Sequence, residues 1–186
     1  MIKMNNKPIS LMSVQESNIM IKKIMKNKDN KVGKSDLKPG RLYTYAYDAK
    51  DKSQTYDQTP LVFVLRTSAR HLLCVNFHWA PQPLKVVLAK FFFNMNRTNI
   101  KQGKPLELDY KTIKPFLKKI GFAPIIRRYI RARISRYIIR IPDSDFMNIV
   151  MSRSESFTQG KVSAEQLYKL ALKRNKQYRS TRKRRE

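Results

Sequence analysis

The sequence predicts an α+β fold: a small antiparallel meander or SH3-like sheet packed by a helix, with a helical C-terminal half and basic extended arms. Three observations lead there. Short β-prone runs follow one another closely between residues 42 and 77 and are joined by turn residues. An apolar face at helical spacing comes directly after them. The charge lies mostly outside this block: 40 Lys and Arg stand against 13 Asp and Glu, a formal +27 over 186 residues, yet residues 39–96 carry only seven Lys and Arg against three Asp.

Taken in order, residues 1–36 read as a basic N-terminal arm with one short helix. Ser13-Val14-Gln15-Glu16 has capping-box spacing, Ile19, Ile21, Ile24 and Met25 follow, and the helix is expected to end near Asn27. Lys28 to Lys38 reads as a polar linker. The core is expected over 37–96. Pro39-Gly40 marks a turn. Leu42 to Tyr47 alternates, with Tyr43, Tyr45 and Tyr47 on one face. Leu61-Val62-Phe63-Val64-Leu65 is a continuous apolar run, the pattern of a strand buried on both faces, and His71 to Phe77 returns as a third strand. Pro81 and Pro83 open a helix whose Leu84, Val87, Leu88, Phe91 and Phe92 form an apolar face.

Residues 97–162 read as a helical region. Asn96 to Pro105 is expected as a loop, and Asp109 to Gly121 as a capped helix. Pro124 is expected to open an arginine-rich helix with Ile126, Ile130 and Ile134 inward. Tyr137 to Ile141 ends that helix or forms a short strand. Asp143 or Ser144 caps a helix containing Phe146, Ile149 and Val150. Residues 163–186 hold a last helix, started by the capping box at Ser163, and a basic tail.

Little in the chain predicts catalysis. His71, Cys74 and His78 approach metal-ligand spacing, but on a strand His71 faces away from the other two, and no further Cys or His completes a zinc set. Cys74 reads as a small buried apolar residue. The pairs Asp48/Asp51, Glu107/Asp109 and Asp143/Asp145 sit at loop or helix starts, where acids cap N–H groups and favour the helix dipole. Gly33-Lys34-Ser35 lacks the earlier glycine and the preceding strand of a phosphate loop. Neither cofactor, metal nor small-molecule substrate is expected. No apolar run approaches the ~20 residues of a membrane span, and Lys3, Lys7, Lys22 and Lys23 interrupt any secretory signal. The tyrosines of the first strand could serve as base-stacking platforms, but alternating aromatics are ordinary strand formers, and they read as packing under the loop and helix, with Trp79 beside Pro81 as a core anchor.

The charge points more firmly. Arg127, Arg128, Arg131, Arg133, Arg136 and Arg140 occur without one acid among them. The tail contributes Lys173, Arg174, Lys176, Arg179, Arg182, Lys183, Arg184 and Arg185. Such a concentration repels itself unless it meets a counter-charge, and arginine in preference to lysine favours bidentate pairing with phosphate or carboxylate. These fourteen residues are the expected contacts to a nucleic-acid backbone or an acidic partner.

The motifs Pro39-Gly40-x-Leu42-Tyr43-x-Tyr45-x-Tyr47, Tyr56-Asp57-x-x-Pro60-Leu61-Val62 and Asn76-Phe77-His78-Trp79-x-Pro81 together resemble a block found in small virion-associated proteins of tailed bacteriophages. The resemblance covers residues 37–92 and implies a role in particle structure or DNA packaging, with no catalytic residue. The expected function is that of a non-enzymatic structural or assembly protein of a virion assembled in the host cytoplasm. Its core would dock on neighbouring subunits of a large assembly while its arms touch packaged DNA or acidic protein. A sequence-nonspecific nucleic-acid binder of ribosomal type, its basic extensions entering RNA, is the alternative. A nuclease acting at DNA ends through Asp143 or Asp145 is a third.

Overall fold

The computed structural model of the protein describes residues 14–51, 56–101, 111, 115, 125–152, 165, 166, 168–170, 172 and 173. Three helices and six strands organise them: α1 (Val14–Lys26), β1 (Lys31–Val32), β2 (Leu42–Tyr47), β3 (Leu61–Thr67), β4 (His71–Asn76), α2 (Gln82–Lys101), β5 (Ile126–Ile130), β6 (Ile134–Ile141) and α3 (Phe146–Met151). The strands form one sheet in the order β1-β6-β2-β3-β4-β5, and each neighbouring pair is antiparallel. The architecture is the α+β one that the sequence predicts.

Local sequence accounts for most boundaries. In α1, Glu16 lies in the first turn and Lys23 and Lys26 in the last, the arrangement that complements a helix dipole. Asn27 ends the helix by capping the next turn, its side chain accepting from the Asp29 N–H. Gly40 carries the tight turn into β2 at φ 78°, a backbone state that a Cβ disfavours, and its N–H donates to the Val64 carbonyl. The buried Tyr43 hydroxyl donates to the Asp36 carbonyl and accepts from the Lys38 N–H, which ties the approach segment to the sheet.

Three expectations need correction. The arginine-rich segment is not a helix: Arg127 and Arg128 lie in β5, Arg131 and Arg133 in a 3-10 turn, and Arg136 and Arg140 in β6. Isoleucines four apart suit a helix, but the segment is rich in β-branched and aromatic residues that favour a pleated surface. Pairing along β4, where Leu72 faces Tyr129, supplies the tertiary contacts that decide it. α2 runs through Lys101, past the expected loop start at Asn96, because no Gly or Pro interrupts it before Gly103. The linker Lys28 to Lys38 contributes β1 and two 3-10 turns. The expectations for residues 1–12 and for the capping box at Ser13, for most of Asp109 to Gly121, for the capping box at Ser163 and for the tail beyond Lys173 lie outside the described residues.

The sheet is buried on both faces. On one side Leu61, Phe63, Leu65, Phe77, Leu88, Phe92, Ile139 and Phe146 join the cluster under the helices. Phe92 of α2 stacks on Phe63 with centroids 4.5 Å apart, and Phe146 of α3 meets Phe63, Phe77 and Phe92 edge-on, a preferred aromatic geometry. On the other side Tyr43, Tyr45, Val62, Val64, Leu72, Cys74, Tyr129, Ile134 and Ile138 fill a second cluster. β3 alternates between the two and is buried from Leu61 to Leu65, as its continuous apolar run predicts.

The second cluster exists because the sheet curls. β5 and β6 stand four strand positions apart, about 19 Å in a flat sheet. Only Arg131–Arg133 connects them, and the four Cα steps from Ile130 to Ile134 reach at most about 14 Å. The sheet therefore has to roll towards a barrel, and irregular register at Tyr45/Tyr47 and Val64/Arg66 permits the bend. The Ile130 N–H donates to the Tyr47 hydroxyl across the curl, while the bonds from the Asp48 N–H to the Arg133 carbonyl and from the Arg131 N–H to the Arg70 carbonyl extend the neighbouring β2–β6 and β4–β5 pairs.

The two clusters make different predictions. Phe92→Ala leaves a cavity among the rings of Phe63, Phe77, Phe91 and Phe146 and is expected to cost about 3–5 kcal/mol in urea unfolding. Burial pushes the Tyr45 and Tyr129 phenols well above their ordinary 10.0. The neutral phenols are thus favoured in the folded state, and their stabilisation is complete below pH ~10 and lost as pH rises through the folded-state values. The Tyr45 hydroxyl has no hydrogen-bond partner among the described residues, whereas Tyr129 accepts from Asn76. Tyr45→Phe is expected to preserve or raise stability by up to about 1 kcal/mol and to blunt the alkaline loss, and Tyr129→Phe to destabilise. Urea titrations at pH 7 and pH 11 measure both.

Candidate nucleic-acid interface

The corner between β5 and β6 gathers basic side chains from distant parts of the chain. Arg131 spreads its guanidinium between backbone carbonyls, donating to Ser68 at 3.1 Å and to Lys34 at 2.5 Å. Lys34 reaches back to the Ala132 carbonyl at 3.5 Å. Arg133 pairs with Asp48 at 3.1 Å, and Arg70 is exposed on the adjoining β3–β4 turn. Across the sheet, Arg140 lies 3.9 Å from Asp143, which Arg41 holds at 2.7 Å. The turn that curls the sheet thus also forms a basic rim.

The fourteen basic residues expected as contacts are dispersed by the fold. Arg127, Arg128, Arg131 and Arg133 cluster at or beside the corner, with Arg128 exposed. Arg140 stands apart with Asp143, and Arg136 is placed on β6 by its backbone. Lys173 is helical and exposed. Arg174, Lys176, Arg179, Arg182, Lys183, Arg184 and Arg185 lie outside the described residues. The expected capping roles also shift: Asp48 and Asp143 serve arginines, while Asp145 takes the N-cap position of α3 without a side-chain cap bond.

Beside the rim, the end of β2 opens into two adjoining hollows. A shallow groove of 830 Å³ runs past Tyr47, Tyr56, Gln58, Arg133 and Ser135. A smaller recess of 220 Å³ shares Tyr47 and Tyr56 and reaches Asp57, Trp79, Arg127 and Tyr129. In its wall the Arg127 guanidinium carbon sits 3.5 Å from the Trp79 ring centroid. At that distance the guanidinium lies nearly parallel to the indole, since a steep tilt would drive a nitrogen into the ring, and the contact is a cation–π stack.

Under the recess is a buried polar hub. Asp57, 3% exposed, accepts from the Thr59 N–H at 3.1 Å and from the Asn76 amide at 3.2 Å. His78 Nδ1 lies 2.7 Å from the same carboxylate, and an acceptor there assigns that nitrogen the proton. Asn76 donates again to the Tyr129 hydroxyl at 2.8 Å, and its side-chain oxygen accepts from the His78 N–H. The motif beginning Tyr56-Asp57 and the motif beginning Asn76-Phe77 therefore meet at one carboxylate. No spacing in the sequence signals this pairing or the Arg127–Trp79 stack, because each joins residues far apart in the chain. Cys74 is buried nearby and burial pushes its thiol well above the usual range, which leaves it inert as the sequence implies. Among the described residues, no three His, Cys, Asp or Glu converge to hold a metal, and no helix is long and apolar enough to cross a membrane.

A family model described as phage T4 terminal DNA protecting protein matches residues 3–170 of the chain. The match takes in the corner, the recess and the hub, and ends before the basic tail. No curated protein and no solved structure matches.

The hub sets a stability prediction. Asp57→Ala strips His78, Asn76 and the Thr59 N–H of a common acceptor, and breaking such a buried charged network is expected to cost about 3–5 kcal/mol. Urea unfolding measures it, and a loss below 1 kcal/mol would mean that the hub is dispensable to the fold.

Proposed function

The chain belongs to the phage T4 terminal DNA protecting protein family, a family of tailed-phage proteins, and from that premise we propose that it binds the ends of phage DNA and shields them without catalysing any reaction on them. The family match carries the reading. The charge supports it: +27 over 186 residues suits a polyanionic partner, and the basic rim offers oriented guanidinium groups beside a recess. The expected basic segments at either end of the chain would add phosphate contacts, and the helix-covered face of the sheet would dock on neighbouring subunits of the particle. The protein would then travel in the virion with the DNA it guards.

Arginines at the corner suit this task better than a diffuse positive surface. Arg131 is fixed by two carbonyl acceptors, so a phosphate that reaches it meets a donor fork with little rotamer freedom left to lose. Exposed Arg128, on the edge strand, extends the same positive track past the mouth of the recess. The phosphates of the last few nucleotides would follow these residues.

Exonuclease digestion tests the proposal. Linear duplex is expected to survive at about one or two proteins per end, regardless of duplex length. Circular duplex should compete poorly at equal nucleotide concentration. Protection that requires protein in proportion to length, or full competition by circles, would show coating of the duplex instead and overturn end binding. Affinity should fall linearly in log–log with salt, and Arg128→Ala should reduce that slope by about 0.9, the value for one phosphate contact.

A further inference from the structure

We infer that the 220 Å³ recess receives one unpaired base from the DNA end, stacked on the guanidinium plane of Arg127. The inference rests on the end-binding reading and gives it a source of specificity. Three observations carry it.

The first is the platform. The Arg127 guanidinium lies flat against Trp79, and Arg127 also lines the recess. A guanidinium backed by an indole is a rigid, planar, positively charged surface, and unstacked bases pack on such planes as they do on aromatic rings. Tyr47 and Tyr56 line the same space, and Tyr47 is itself braced edge-on by Tyr129, with centroids 4.9 Å apart.

The second is the charge inside. Asp51 and Asp57 share the lining with Arg127 and Arg128, so the recess carries no excess of either sign to attract a phosphate. The rings of Tyr47, Tyr56, Trp79 and Tyr129 complete it, and an aromatic lining of balanced charge suits an uncharged planar base. The sugar–phosphate chain is left to Arg128, exposed at the edge of the recess, and to the rim.

The third is size. At 220 Å³ the recess has room for the planar ring system of one base. Only a nucleotide already released from pairing, at an overhang or a frayed terminus, enters without first being unstacked and unpaired, and that difference favours an end over the interior of a duplex.

The test uses the full chain and short duplexes that carry a one-nucleotide overhang of either polarity. The overhanging nucleotide is 2-aminopurine, adenine or an abasic residue. Trp79 is the single tryptophan, so intrinsic emission reports on the recess directly. Binding is expected to quench 2-aminopurine to saturation at one protein per end and to change Trp79 emission, and the abasic overhang should bind about tenfold more weakly than adenine, within the range of a lost base stack. Arg127→Lys keeps the charge and removes the plane; it should abolish both the quenching and the adenine advantage, and a variant that retains both would overturn the platform. Equal affinity for abasic and adenine ends without quenching, while exonuclease protection persists, overturns the recess and leaves the end-binding reading standing. Inorganic phosphate that changes Trp79 emission at millimolar concentration also overturns it, because the recess would then be an anion site. Failure to bind any linear duplex overturns both readings.

Discussion

β5 and β6 are joined by Arg131–Arg133 alone, and this short connection constrains the rest of the molecule. Strands four positions apart cannot be bridged so briefly unless the sheet rolls up, and rolling creates an interior that must be filled. Tyr43, Tyr45, Val64, Leu72, Cys74, Tyr129 and Ile138 fill it. The outer surface of the same strands is then convex and apolar, and α1, α2 and α3 cover it through Ile24, Leu88, Phe92 and Phe146. One geometric limit thus produces both cores, and it brings the end of β2 against the start of β5, where the recess opens.

Curling the sheet at a basic turn has an electrostatic cost that the turn itself reduces. Asp48 answers Arg133 at the corner, and Asp143 serves Arg41 and Arg140 across the sheet. The exposed Arg133–Asp48 pair contributes little to stability, whereas Arg41–Asp143 is part-buried; both fix side chains and lower local repulsion. The buried hub below the recess works differently. Asp57 is surrounded by donors from the β2–β3 loop, β4 and the turn that follows it, and such a network specifies one arrangement because partial satisfaction is costly. It holds Tyr129 and Asn76 in register and so keeps the floor of the recess in place.

The sequence made the core legible where pattern and chemistry agreed. β2, β3, β4, the start of α2 and the short helix with Phe146, Ile149 and Val150 all follow from alternation, apolar runs and helical spacing, and the spacing of Ile19, Ile21, Ile24 and Met25 with an end near Asn27 gives α1. The arginine segment misled because Ile126, Ile130 and Ile134 match a helical stripe as well as they match two strands. The 3-10 turn at Arg131–Arg133 resets the phase between β5 and β6, so no single period describes the segment. Arginines are long enough to suit either structure, and only pairing to β4 and β2 decides between them. The Asp57 hub and the Arg127–Trp79 stack were hidden for a related reason. Each joins residues from separate elements, and neither residue pair carries a local signature. The motif residues themselves stood out; their common destination did not.

The arginines of this fold divide by the kind of partner they have, and that division bears on what they can offer a ligand. Arg133 and Arg140 face carboxylates, so part of their charge is already answered within the chain. Arg131 faces carbonyls of Ser68 and Lys34. A carbonyl orients a guanidinium without neutralising it, and arginine does not give up its proton to escape the position. The fold thus fixes a full positive charge in one place beside the recess. An exposed side chain of the same charge must be ordered when a phosphate arrives, which weakens the contact by the rotamer freedom lost. At Arg131 that ordering has already occurred during folding, in the turn that also curls the sheet, so the constraint that shapes the sheet is the one that prepares the charge.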